Sequence, residues 1–117
     1  MNKYIFTLLS FVSVSAAAGS FTSAAVPTRI DIVQAGTAGF MLYGDFGNVL
    51  GCTVANQIYV KATHPQYNQI YSTALAALMA GKKVYAYAHT CESVPWYTAP
   101  TTTYNILTPD GSLSIGN

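Results

Sequence analysis

Hydrophobic and polar positions alternate from Thr28 to Gln34, with Ile30 and Ile32 set against Arg29 and Asp31, the two-residue period of a half-buried strand. Gly36, Thr37, Ala38 and Gly39 break that run. Phe40 to Tyr43 predicts a second short strand, and Gly44-Asp45-Phe46-Gly47-Asn48 has the residues of a hairpin turn. A third strand is expected from about Val49 through Cys52 to Ala62, bent at Gly51, with Ile58, Val60 and Ala62 on one face and Tyr59 and Lys61 on the other. The period then changes to that of a helix: Tyr67, Ile70, Tyr71, Ala74, Leu75 and Leu78 recur along one stripe. Pro65 suits the first helical position behind Thr63 or His64, Gly81 supplies the stop, and Lys82 and Lys83 lie near the negative end of the dipole. Alternation returns from Lys83 to Thr90, where Val84, Ala86 and Ala88 oppose Tyr85, Tyr87 and His89. A fifth strand is expected over Thr101 to Leu107, before the turn Thr108-Pro109-Asp110-Gly111.

Three strands, a helix and two strands make a mainly β domain with the layout of a five-stranded OB-fold-like barrel, β-β-β-α-β-β. An α+β sandwich has the same element order. Neither a repeat nor a linker divides the chain, so residues 26–117 are expected to form one domain.

The first residues read differently. Met1-Asn2-Lys3 is a short positive segment, Tyr4 to Val14 is mostly apolar, and small residues follow from Ser15 to Ala18, which is the pattern of a secretory signal peptide over residues 1–25. Cleavage is expected after Val14-Ser15-Ala16 or after Ser23-Ala24-Ala25. The apolar run is too short for a membrane span, which needs about 20 residues, and no cysteine nearby supports a lipid anchor.

Composition sharpens this picture. Hydrophobic residues make up 51% of the chain and charged residues only 8%, against about 25% charged in an ordinary soluble domain. Without Lys3, the basic residues Arg29, Lys61, Lys82 and Lys83 balance Asp31, Asp45, Glu92 and Asp110, so a nucleic-acid partner is not expected. An exported domain meets an oxidising compartment, where the even pair Cys52 and Cys91 is expected to form one disulfide. The expected location is secreted or periplasmic.

The helix from Gln66 to Ala80 has no charged residue, and its far side passes from Asn68, Gln69 and Thr73 to Ala76, Ala77 and Ala80. A helix that is apolar on nearly all sides calls for a second partner surface, so Thr73, Ala76, Ala77 and Ala80 are candidates for self-association. Tyr85, Tyr87, Trp96 and Tyr97, with threonines close behind, are the candidate ligand contacts. Aromatic faces beside uncharged hydrogen-bonding groups hold neutral sugars, and Trp96, in a loop beyond the disulfide, is the leading candidate among them. Catalysis is not expected. A set of Ser93, His89 and Asp110 lacks the turn that frames a nucleophilic serine, and the sequence has neither metal-ligand spacing nor a phosphate-binding loop, so no metal or cofactor is expected.

The run Ile70-Tyr71-Ser72-Thr73-Ala74-Leu75-Ala76-Ala77-Leu78-Met79-Ala80-Gly81-Lys82-Lys83-Val84, followed by a strand and Cys91, with Cys52 ahead of the helix, resembles small secreted proteins related to the B subunit of subtilase cytotoxin. The resemblance rests on the two cysteines and the Ala-Gly-Lys-Lys-Val helix exit. It implies an OB-fold subunit that assembles as a homopentameric ring with the helix along its pore, binds cell-surface glycans and carries a toxic A subunit. The alternative expectation is a solitary periplasmic or secreted structural or interaction protein that keeps the scaffold without a glycan site.

Overall fold

The alternation at Thr28 to Gln34 and the apolar run at Phe40 to Tyr43 become adjacent antiparallel strands, with Ile30 opposite Leu42 and Ile32 opposite Phe40. A computed structural model describes residues 19–34, 38–88, 90–94 and 101–116. Among them are eight strands and one helix: β1 (Ser20–Phe21), β2 (Arg29–Val33), β3 (Gly39–Tyr43), β4 (Gln57–Lys61), α1 (Tyr67–Ala80), β5 (Lys83–Ala88), β6 (Thr90–Ser93), β7 (Thr103–Ile106) and β8 (Leu113–Gly116). Over the described residues the protein is mainly β, with one helix and one disulfide.

The strands form a five-stranded sheet in the order β2-β3-β4-β7-β6 and a three-stranded sheet in the order β1-β5-β8. Only β4 and β7 pair parallel; the other neighbours are antiparallel. The two sheets are not closed into a single barrel. They share chain, however: β1 and β2 follow one another in sequence but lie in different sheets, as do β5 and β6. Between β1 and β2, an isolated bridge joins Ala25 to Val84, and the Thr28 N–H donates to Tyr43 O at 2.8 Å.

Period-two packing explains the two apolar clusters. Phe40, Leu42, Ile58 and Val60 turn one face of the five-stranded sheet toward Ile70, Ala74 and Ala77 of α1 and toward Val84 and Ala86 of β5. Met41, Tyr59, Tyr104 and Ile106 occupy the other face with Val33 and Val94. Because β3 is buried on both faces, its sequence is a continuous apolar run rather than an alternating one.

Several expectations are corrected by the tertiary structure. The third strand begins at Gln57, not near Val49, because residues 48–56 form a closed loop. The Asn48 side chain accepts from Cys52 N–H and donates to Cys52 O, while Asn56, at φ 64°, accepts the Gly47 N–H with its side chain. Gly51, at φ 71°, serves this loop rather than a strand bend. Strand β8 lies beyond the expected end of the sheet, and the fourth strand, expected from Lys83 to Thr90, is β5 as far as Ala88, with Thr90 opening β6 in the other sheet.

The helix ends as expected, with Gly81 left-handed at φ 67°, but its buried stripe is rotated. Ile70, Ala74 and Ala77 face the sheet, whereas Leu75 is exposed and Met79 is 79% exposed. Small alanines let the helix approach Val84 and Ala86 closely, and Leu75 at that contact would hold it away. The self-association candidate Ala77 is therefore a core residue, fully buried inside its own subunit.

Candidate functional site

Strand alternation separates the residues of β5 by chemistry. Val84, Ala86 and Ala88 are fully buried, while Tyr85 and Tyr87 point to the opposite face. Pairing with the neighbouring strands sets Phe21 across from Tyr87 and Ser114 across from Tyr85. The Phe21 ring meets Tyr87 at 4.7 Å and Tyr85 at 5.7 Å between centroids, both edge-on. Such contacts fix ring orientation and leave apolar faces beside phenolic hydroxyls. Phe21 is 58% exposed and Tyr85 38% exposed, so this aromatic row is an open surface. Lys83 begins the same row and puts one cation at its end.

Phe21 is held there by its neighbours. The Thr22 N–H donates to Ala86 O at 2.8 Å, its hydroxyl accepts the Ala86 N–H at 3.0 Å, and Ala25 and Val84 exchange backbone bonds at 2.9 and 3.0 Å. The sequence reading placed the two tyrosines but missed Phe21, which follows the small residues of the N-terminal segment. Its one local signal was a lone aromatic between Ser20 and Thr22.

The other candidates are dispersed. Trp96 and Tyr97 lie outside the described residues, as does His89 of the rejected catalytic set. Cys52 and Cys91 form the expected disulfide, with Cα atoms 5.5 Å apart. Ala76 and Ala80 are exposed on the outer side of α1 beside Leu75 and Met79, and Thr73 is half-buried. Among the described residues, no group of three or more His, Cys, Asp or Glu side chains could hold a metal ion, and no helix is long and apolar enough to cross a membrane.

A concave feature absent from the sequence reading lies where α1 begins. Its first turns and the segment after β7 enclose a cleft of about 440 Å³, lined by His64, Gln66, Gln69, Thr73 and Ser112 together with apolar neighbours. A smaller cavity of about 80 Å³ adjoins it, lined by Lys61, His64, Glu92 and Thr108 among others. His64 and Pro109 line both. The Gln66 N–H donates to His64 Nδ1 at 3.0 Å, which satisfies a backbone donor just ahead of the helix. In a neutral imidazole the proton then sits on Nε2.

At the rim of the smaller cavity, Lys61 Nζ donates to Glu92 Oε1 at 2.6 Å, and the Thr90 hydroxyl donates to Glu92 Oε2 at 3.0 Å. The Lys61 hydrogen bond holds the Glu92 carboxyl below the usual carboxylate range; burial opposes this and Thr90 reinforces it. Both members of the pair remain partly exposed, so its contribution to stability is below about 1 kcal/mol.

Compared with protein-family models, with curated proteins and with solved structures, the chain matches none.

Proposed function

We propose that this chain is an exported, glycan-binding subunit of the toxin-B-subunit type, and that its two sheets follow the path of an OB-like barrel, with segment 20–33 and β5 with β6 each counted as one bent strand. The observation that carries the binding reading is the open row of Phe21, Tyr85 and Tyr87, held edge to face on the three-stranded sheet. Three features support the barrel. Segment 20–33 runs from one sheet into the other, β5 and β6 follow one another in sequence but lie in different sheets, and the strand before the helix pairs parallel with the strand after β6. Export is supported by the disulfide, which persists in an oxidising compartment. The earlier of the two cleavage positions is the one that leaves Phe21 and Thr22 in place.

A neutral sugar fits this surface because its apolar ring face stacks on aromatic rings while its hydroxyls meet the phenols and Ser114. On a glycan array the exported protein is expected to bind neutral oligosaccharides. Phe21→Ala and Tyr87→Ala should each weaken that binding about tenfold or more, since exposed aromatics carry most of the energy of such contacts. Binding that survives both substitutions would place the sugar elsewhere. No binding by a correctly assembled protein would favour the solitary structural or interaction protein.

Ring assembly is supported by the outer side of α1, where Leu75 and Met79 are exposed beside Ala76 and Ala80. Native mass spectrometry of the exported protein should give a multiple of the subunit mass, five in the ring reading. The same measurement reads the cleavage position. A monomer at high micromolar concentration contradicts self-association, and with it the carriage of an A subunit on a ring.

A further inference from the structure

His64 is one of the buried polar residues among those described. The residue is 7% exposed, and its Nε2 is buried without a hydrogen-bond partner. Since Nδ1 accepts the Gln66 N–H, Nε2 of the neutral ring is a donor without an acceptor. Thr108 lines the same small cavity, and its Oγ1 is likewise buried and unpartnered. A buried donor left unmade is costly, and two residues of one cavity that each carry such a group point to a polar group that completes them.

The chemistry of the missing group follows from its surroundings. It must accept from Nε2–H and either accept from or donate to a threonine hydroxyl, which an alcohol does with a single oxygen. A cation is disfavoured because the nearby Glu92 carboxylate is already held by Lys61 and Thr90. An anion is disfavoured because Lys61 is committed to Glu92. The adjoining cleft of about 440 Å³ has no Asp, Glu, Lys or Arg in its lining; its polar groups are amides and hydroxyls from Gln66, Gln69, Thr73 and Ser112. That volume lies within the range of small-molecule sites.

We propose that this cleft is a second binding site, separate from the aromatic row, that takes one residue of a neutral sugar. One ligand hydroxyl enters the small cavity between His64 Nε2 and Thr108 Oγ1, and the ring lies in the cleft against Gln66, Gln69 and Ser112. The start of α1 forms one wall and contributes the positive end of its dipole, which strengthens the interaction with a hydroxyl oxygen acting as acceptor.

The test is an amide-resolved NMR titration of the exported, disulfide-intact protein with galactose, glucose, N-acetylglucosamine and, as a charged comparison, N-acetylneuraminic acid. At least one neutral sugar should give saturable shifts at His64, Gln69 and Ser112. His64→Asn keeps an oxygen that can accept the Gln66 N–H while deleting the Nε2 donor, and Thr108→Val keeps shape while deleting the hydroxyl. Each should lower affinity about tenfold with the rest of the spectrum unchanged. Absence of saturable shifts with every neutral sugar, persistence of the shifts in both variants, or equal binding of N-acetylneuraminic acid would overturn the proposal. Phe21→Ala separates the two sites, because it should weaken array binding through the aromatic row about tenfold or more and leave the cleft titration intact.

Discussion

Replacing both Cys52 and Cys91 with alanine should lower the unfolding free energy by about 4 kcal/mol, because the disulfide spans 39 residues and removes loop-closure entropy from the unfolded chain. Against a typical total of about 5–15 kcal/mol this is the largest single contribution assignable to one linkage here. The native loop should survive the loss. Asn48 still clasps Cys52 through its backbone, Asn56 still closes on Gly47, and Thr53 still exchanges hydrogen bonds with Thr103 on β7. The effect therefore falls mainly on the unfolded ensemble. Urea titration should show a lower midpoint together with a steeper slope, since an unlinked chain exposes more surface on unfolding. A loss below about 1 kcal/mol would mean that the denatured chain is already held together at this point.

Alkaline pH should produce the second large loss. Tyr59 is fully buried within the second apolar cluster, and burial, reinforced by Tyr67, pushes its phenol up to about 12 from an ordinary value near 10. A raised value means that the folded state prefers the protonated phenol. Its contribution is complete below pH 10 and disappears as the pH rises through 12, amounting to about 2–3 kcal/mol. Tyr67, raised by its own burial and then by Tyr71, adds a loss of the same sign. Urea midpoints measured from neutral pH to pH 12 should therefore fall steeply above pH 10 in the native sequence. They should fall less in Tyr59→Phe, and an identical alkaline profile in that variant would remove Tyr59 as the cause.

The helix was the most legible element, because a 3.6-residue period over fourteen positions with Gly81 at its end has few other readings. Its buried face was not legible. A hydropathy stripe ranks Leu75 above Ala77, yet the distance between helix and sheet decides which residue fits, and Val84 and Ala86 accept alanine. The disulfide was legible because two cysteines admit one pairing. The loop at 48–56 was not, since its closure depends on side-chain amides meeting backbone groups several residues away.

The candidate site divides in the same manner. Tyr85 and Tyr87 could be placed on one face by strand alternation alone, but Phe21 joins them only because β1 pairs with β5 across more than sixty residues of chain. The cleft at His64 had no sequence signal, since its wall at Pro109 and Ser112 comes from a segment more than forty residues away in the chain.

By itself the sequence determined the periods, the turns, the cysteine pair and the scarcity of charge, all properties of neighbouring residues or of composition. Only the tertiary structure decided which strands share a sheet, which side of α1 is buried, where Phe21 comes to rest and what His64 Nε2 lacks. Those outcomes depend on contacts between residues distant in the chain, where close packing and the pairing of buried polar groups select one arrangement among the several that local pattern allows.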